Sequence, residues 1–218
     1  GGPWSVAFRA GRITELLAAV VADKKGDVAT MARIQADTHN GLAKRWLPHV
    51  HGALDRARTI VSSIGDPTGA DARIKGLYEA NAERFVAAEA RLKAWAADEF
   101  NSPSGVETFY HMPTDTQRAS AVATMIFHSW ASHLVTGIFD DEKIPTGSRF
   151  TDIQTQTRTV DLILYGRGPD NPGNLSSWIE ETGGSVFCDR QGTDVVETCD
   201  EMILAALGDA LDFLESDP

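Results

Sequence analysis

Apolar residues recur at helical spacing along most of this chain, and that rhythm restricts it to a helical fold. Ile13, Leu16, Leu17 and Val20 share one face of a stretch from Arg12 to Lys24, with Gly26 as a stop just beyond. Asp27 is placed to cap a long second helix. Its stripe runs Val28, Met31, Ile34, Leu42, Trp46, Val50, Leu54 and Val61. Pro48 lies inside that stripe and predicts a kink near Arg45, where a backbone hydrogen bond is lost. Gly65-Asp66-Pro67-Thr68-Gly69 reads as a turn. A third helix opens at Asp71 and carries Ile74, Leu77, Tyr78, Phe85, Leu92 and Trp95. Residues 101–114 read as a loop rich in Ser, Pro and Gly. Asp115 or Thr116 is expected to cap a fourth helix reaching Ile138, with Val122, Ile126, Trp130 and Leu134 apolar. A shorter helix is expected from Thr151 to Leu164, followed by a long, turn-rich loop over 167–193. The last helix is expected to start near Asp194, because Asp194 and Glu197 have capping-box spacing. No alternating strand of more than four residues, no repeat and no low-complexity tract is present. The expected fold is mainly α: one domain over 1–218, an irregular bundle of five or six helices, one of them long and Pro-kinked.

Composition narrows the function. With 218 residues the chain is long enough to bury a single core. Its formal charge, 20 − 31 = −11, argues against a general nucleic-acid binder, which needs a basic surface to displace counterions. The longest strictly apolar run, Leu16 to Ala22, is too short to span a bilayer, so no membrane partner is expected. The opening Gly1-Gly2-Pro3-Trp4 has no basic start and no apolar core of a signal peptide. Together with the missing initiator Met, it suggests a processed or excised chain.

A self-contained catalytic site is hard to find. There is no Gly-x-Ser-x-Gly elbow, no P-loop and no dinucleotide fingerprint. His39, His49, His51, His111, His128 and His133 lack the spacing of a metal site, so no metal is expected. Asp140-Asp141-Glu142 lacks the calcium-loop pattern and reads as a solvated helix end. Asp170-Asn171-Pro172-Gly173-Asn174 offers oxygen ligands that turn chemistry explains equally well. Cys188 and Cys199 are either two reduced, buried thiols or one disulfide clamping a loop onto the following helix. Gln35 and Asp37 are more unusual, polar interruptions of an otherwise apolar, Ala-rich helix.

Three blocks, in order, resemble the penicillin acylase family, the N-terminal-nucleophile hydrolases that include penicillin amidases and acyl-homoserine lactone acylases. The first is Phe8-Arg9-Ala10-Gly11-Arg12-Ile13, followed by Met31-Ala32-Arg33-Ile34-Gln35-Ala36-Asp37-Thr38 and Leu47-Pro48. The second is Leu92-Lys93-Ala94-Trp95, with Trp130 on the next helix. The third is Cys188-Asp189, Thr193 and Glu197-Thr198-Cys199. The resemblance spans nearly the whole chain and places it as an internal helical segment of the family's β chain.

That resemblance carries expectations. Family members attack an amide with the hydroxyl of an N-terminal Ser, whose own amine is the base; Gly1 stands at the start here. Ala96-Ala97 replaces the Asp-Gly that follows the Trp in the family. The nucleophile and the αββα catalytic core are therefore expected elsewhere, on the remainder of the acylase, namely the α chain and the core. The resemblance implies hydrolysis of a linear amide, of β-lactam side-chain or N-acyl-homoserine lactone type, and hence a role in antibiotic metabolism. It implies a periplasmic or secreted location and no cofactor in this chain, and it leaves room for calcium in the parent enzyme. Within it, Cys188 and Cys199 are expected to pair. Arg12, ahead of Ile13-Thr14-Glu15, matches an Arg beside the family's oxyanion site and is the residue expected to support that site electrostatically; Arg9 competes for the role. A purely local role for Arg12 would be a pair with Glu15, three residues on. In the isolated chain Arg12 is expected to be exposed. Two other readings stand beside this one. A non-catalytic helical protein-binding module would bind a stoichiometric partner that is no hydrolase. A histidine-based metalloenzyme would carry bound metal.

Overall fold

The computed structural model describes residues 8–23, 26–63, 65–142, 153–165, 178–179 and 184–216. Among them are eight α-helices: α1 Phe8–Asp23, α2 Val28–Gln35, α3 Gly41–Ser62, α4 Gly69–Ala80, α5 Ala82–Ala97, α6 Asp115–Phe139, α7 Ile153–Tyr165 and α8 Cys199–Glu215. Among the described residues, sheet is confined to a two-residue antiparallel pair, β1 Trp178–Ile179 and β2 Gly184–Ser185, with Trp178 opposite Ser185. The fold is mainly α, with more helices than the five or six the periodicity suggests.

The extra helices arise from two breaks. The expected long helix is cut between Gln35 and Gly41, where Asn40 turns out of helical geometry and caps α3 through Ala43 N–H. The widest gap in the apolar stripe, Ile34 to Leu42, falls on this break. The expected third helix is cut at Asn81, which closes α4 and opens α5. Pro48 stays inside α3 and on its exposed side, so the helix runs through it while Trp46, Leu47 and Val50 are buried. Asp27 caps α2 through Thr30 N–H at 2.8 Å. Two other helix starts shift. α6 is capped by Thr114 with Gln117, not by Asp115 or Thr116, and α8 by Thr198 with Glu201, not near Asp194. Both are reciprocal capping boxes, each satisfying two main-chain donors.

The core forms where α6 and α8 pair, with α5 on α6 and with α3 and α4 on α8. Trp46, Trp95 and Trp130 are fully buried together with Phe85 and Phe127. Trp46 meets Trp130 edge-to-face at 6.2 Å, and Phe127 lies between Trp95 and Trp130. Each indole N–H finds an acceptor, since an unpaired buried donor would cost about 1–3 kcal/mol. Trp46 donates to Asp161, Trp95 to the Asn101 carbonyl and Trp130 to the Ile203 carbonyl. α6 is long and apolar enough to cross a membrane by length and composition, but half of its most apolar window is buried inside this bundle.

Candidate functional site

Two features singled out in the sequence, Arg12 and Asp37, meet in space. α1 has no buried residue, and it reaches the rest of the fold through α2 and α3. Phe8 lies against Gly41, whose missing Cβ leaves room for the ring; a Cβ there would sit 3.2 Å from Phe8 Cβ. Arg12 crosses to the break between α2 and α3. Its Nε lies 3.3 Å from each Asp37 oxygen and its Nη2 3.0 Å from Oδ2. Nη1 donates to Glu15 at 3.2 Å. The Arg12 side chain is only 22% exposed, not exposed as expected, because Asp37 recruits it. The local Glu15 pair forms as well, on the exposed side.

The electrostatics follow from these bonds. Chiefly the hydrogen bonds from Arg12, outweighing partial burial, hold the Asp37 carboxyl below the usual carboxylate range. Reciprocally, the Asp37 bonds raise Arg12. Asp37 also accepts from the His39 N–H at 3.3 Å, so one carboxylate both turns the chain after α2 and receives α1.

A turn at residues 98–102 holds this break from behind. Glu99 and Phe100 occupy the left-handed region at φ 53° and 57°, which costs roughly 1–2 kcal/mol per residue for a side chain with a Cβ. Surrounding bonds over-determine that geometry. Asn40 N–H donates to the Phe100 carbonyl at 3.0 Å, Ser102 N–H to the Thr38 carbonyl at 3.1 Å, and His39 Nδ1–H to the Glu99 carbonyl at 2.6 Å. Phe100 packs edge-on against Trp95. The result is a cleft of about 290 Å³, with Phe8, Ile13, Leu16 and Leu42 apolar and Arg12, Asp37, His39 and Ser102 polar. Arg9 also lines it but stays exposed.

The other sequence candidates do not join this cleft. Cys188 and Cys199 are linked by a disulfide that fastens the segment before α8 to its first turn. The third block serves the same loop. Asp189 accepts from Glu197 N–H at 3.1 Å, and Glu197 accepts from Arg190 N–H and from the Thr193 hydroxyl. Asp141 and Glu142 accept from the main chain and side chain of Gln191, so this helix end, exposed at Asp140, also touches the loop. Residues 170–174 lie outside the described residues. Among the described residues no group of three or more His, Cys, Asp and Glu is arranged to hold a metal. His128 bonds Asn40 and His133 the Ser129 carbonyl, while His51 lies 3.3 Å from Glu89. Five serine hydroxyls are spent on structure: Ser62, Ser63, Ser102 and Ser216 donate to main-chain carbonyls and Ser120 to Asp98.

A family model described as penicillin amidase matches residues 1–218. The chain belongs to the penicillin amidase family. That places it among acylase-type hydrolases, the family its three blocks resemble. No curated protein and no solved structure matches it significantly. The family assignment gives the geometry a context: the first block supplies both partners of the Arg12–Asp37 bridge, the second supplies core residues, and the third builds the disulfide-closed loop.

Sequence reasoning missed two things here. The strained pair Glu99-Phe100 follows the helix-ending Asp98, and no Gly marks it. The partnership between Arg12 and Asp37 spans 25 residues, beyond the reach of local spacing rules.

Proposed function

We propose that this chain is the helical part of an acylase that hydrolyses a linear amide, of β-lactam side-chain or N-acyl-homoserine lactone type. In this reading Arg12 supports the oxyanion site of the assembled enzyme. The observation that carries it is the guanidinium held at the edge of a cleft by Asp37, in a helix pair whose other face is unpacked. Leu17, Val21, Val28 and Met31 are all exposed there, an apolar surface of the kind that a catalytic core would cover. A fixed guanidinium favours the negative charge that develops on a tetrahedral oxygen, and its preorganisation avoids reorganisation during the reaction.

The catalytic core acts from outside the described residues, whose only strands are two residues long, whereas the core of this hydrolase class is a sandwich of sheets. The α chain and that core are the proposed partners. Any calcium belongs with them. An exported location, periplasmic or secreted, fits both the family and a disulfide, which persists in oxidising compartments.

Arg12→Ala in the full-length enzyme tests the role. The expected result is a fall in kcat of about 10²-fold with folding and autoprocessing intact, the magnitude of losing one oxyanion donor. Unchanged kinetics remove Arg12 from the mechanism. A second reading, a non-catalytic binding module, draws support from Phe109 and Tyr110, which project from a tight turn at 94% and 92% exposure. Purification with a stoichiometric partner that has no hydrolase sequence would favour it.

A further inference from the structure

We infer that Asp37 is a positioning residue for Arg12, selecting which edge of the guanidinium stays available to a ligand in the cleft. The inference rests on the proposed role of Arg12 and adds the residue through which that role is set. A guanidinium has five N–H donors in a rigid fork. Asp37 takes the Nε edge together with Nη2, and Glu15 takes one donor of Nη1. The remaining donors, one on each terminal nitrogen, are left for a ligand.

The two acids are not equivalent. Glu15 lies on the same helix as Arg12 and its side chain is 60% exposed, so it restrains the guanidinium weakly. Asp37 is 19% exposed and comes from another element. Its own position is fixed by the His39 N–H and by the 98–102 turn that holds residues 38 to 40. α1 has no fully buried side chain, and Phe8 against Gly41 with the half-buried Leu16 and Val20 seats it only partly. The Asp37 bond therefore aims both the side chain and the helix that carries it. This gives a role to the carboxylate that stands in the break between α2 and α3.

Four variants of the full-length enzyme, Arg12→Ala, Asp37→Asn, Asp37→Glu and the exchange Arg12→Asp/Asp37→Arg, are compared by kcat, KM and melting midpoint. Asp37→Asn keeps the shape and removes the charge. It is expected to lower kcat at least about tenfold with KM changed less than about twofold, because a misaimed group costs turnover more than binding. Asp37→Glu should fall between it and the wild type. The exchange should recover the melting midpoint and not kcat, since the bridge re-forms with the guanidinium on the wrong element. In the folded 218-residue chain, Asp37→Asn should also speed phenylglyoxal modification of Arg12, read by peptide mass mapping. An exchange variant that regains both midpoint and kcat makes the pair a structural bridge and overturns the inference. Wild-type kcat in Asp37→Asn overturns it too, and leaves the Arg12 reading standing if Arg12→Ala is impaired. If Arg12→Ala is unimpaired, that underlying reading fails instead. Should Asp37→Asn not fold, Asp37→Glu decides: a lowered kcat at an unchanged midpoint supports positioning, and wild-type kcat overturns it.

Discussion

Glu89 shows how one residue can be costly and stabilising at once. It sits on the buried face of α5 between Phe85 and Leu92, with its side chain 8% exposed. Burial raises its pKa, but hydrogen bonds and charge from Arg58 and Lys93 outweigh that and pull it from the ordinary 4.5 to about 2. The folded value is depressed, so the stabilisation is complete above the unfolded pKa and is lost as pH falls from 4.5 toward 2. Its size is about 3 kcal/mol at neutral pH. Neighbouring His51 is held below its usual value mainly by burial, against the opposing pull of Glu89, and so also disfavours the folded state on acidification. Glu89→Gln is expected to lower the urea midpoint clearly at pH 7, and by much less at pH 3. Equal losses at both pH values would remove the electrostatic explanation. The signal was present in the sequence as a carboxylate in step with an apolar stripe, four residues after Phe85 and three before Leu92. Periodicity by itself gives no partner, and the partner arginine lies 31 residues away on α3.

At the scale of elements, the start of α8 is heavily fastened. Thr198 and Glu201 cap it, Arg56 reaches Asp200 at 3.2 Å, and Arg73 bonds both Glu201 and the Val196 carbonyl. Asp200 and Glu201 are almost fully buried, and acids in the first turn suit the positive end of the helix dipole. The Cys188–Cys199 link closes a loop of about ten residues at the same place, for which loop-closure entropy gives about 2–3 kcal/mol. Intact mass should rise by 2 Da on reduction, and Cys188→Ser/Cys199→Ser should melt several degrees lower with its helical spectrum retained. No mass change would mean that the purified chain carries free thiols. Asp194 and Glu197 had the right spacing for a cap, and so did Thr198 and Glu201. The choice between them came from Arg73 and the disulfide, which fix residues 196 to 201 against α4 and the 3-10 turn at Val186–Cys188.

For the whole molecule, the described residues build one helical core around three tryptophans and a cleft at its α1–α2 edge. Nucleophilic catalysis needs a hydroxyl or thiol beside a base. Here the cysteines are paired and the serine hydroxyls named above are bonded into structure. The purified 218-residue chain should therefore not turn over a chromogenic phenylacetyl or long-chain acyl amide. Turnover that is lost on mutating one of its own serines would overturn that expectation. By itself the sequence determined the helical class, most helix bodies and the core faces, because apolar periodicity acts within a few turns of chain. It also marked Asp37 as a polar interruption of an apolar stretch, and Arg12 through the family resemblance. The tertiary structure decided the breaks at 36–40 and at Asn81, the strained turn at Glu99-Phe100 and the meeting of Arg12 with Asp37. Each of these depends on bonds between residues far apart in sequence, and their free energy exists only once the helices have packed.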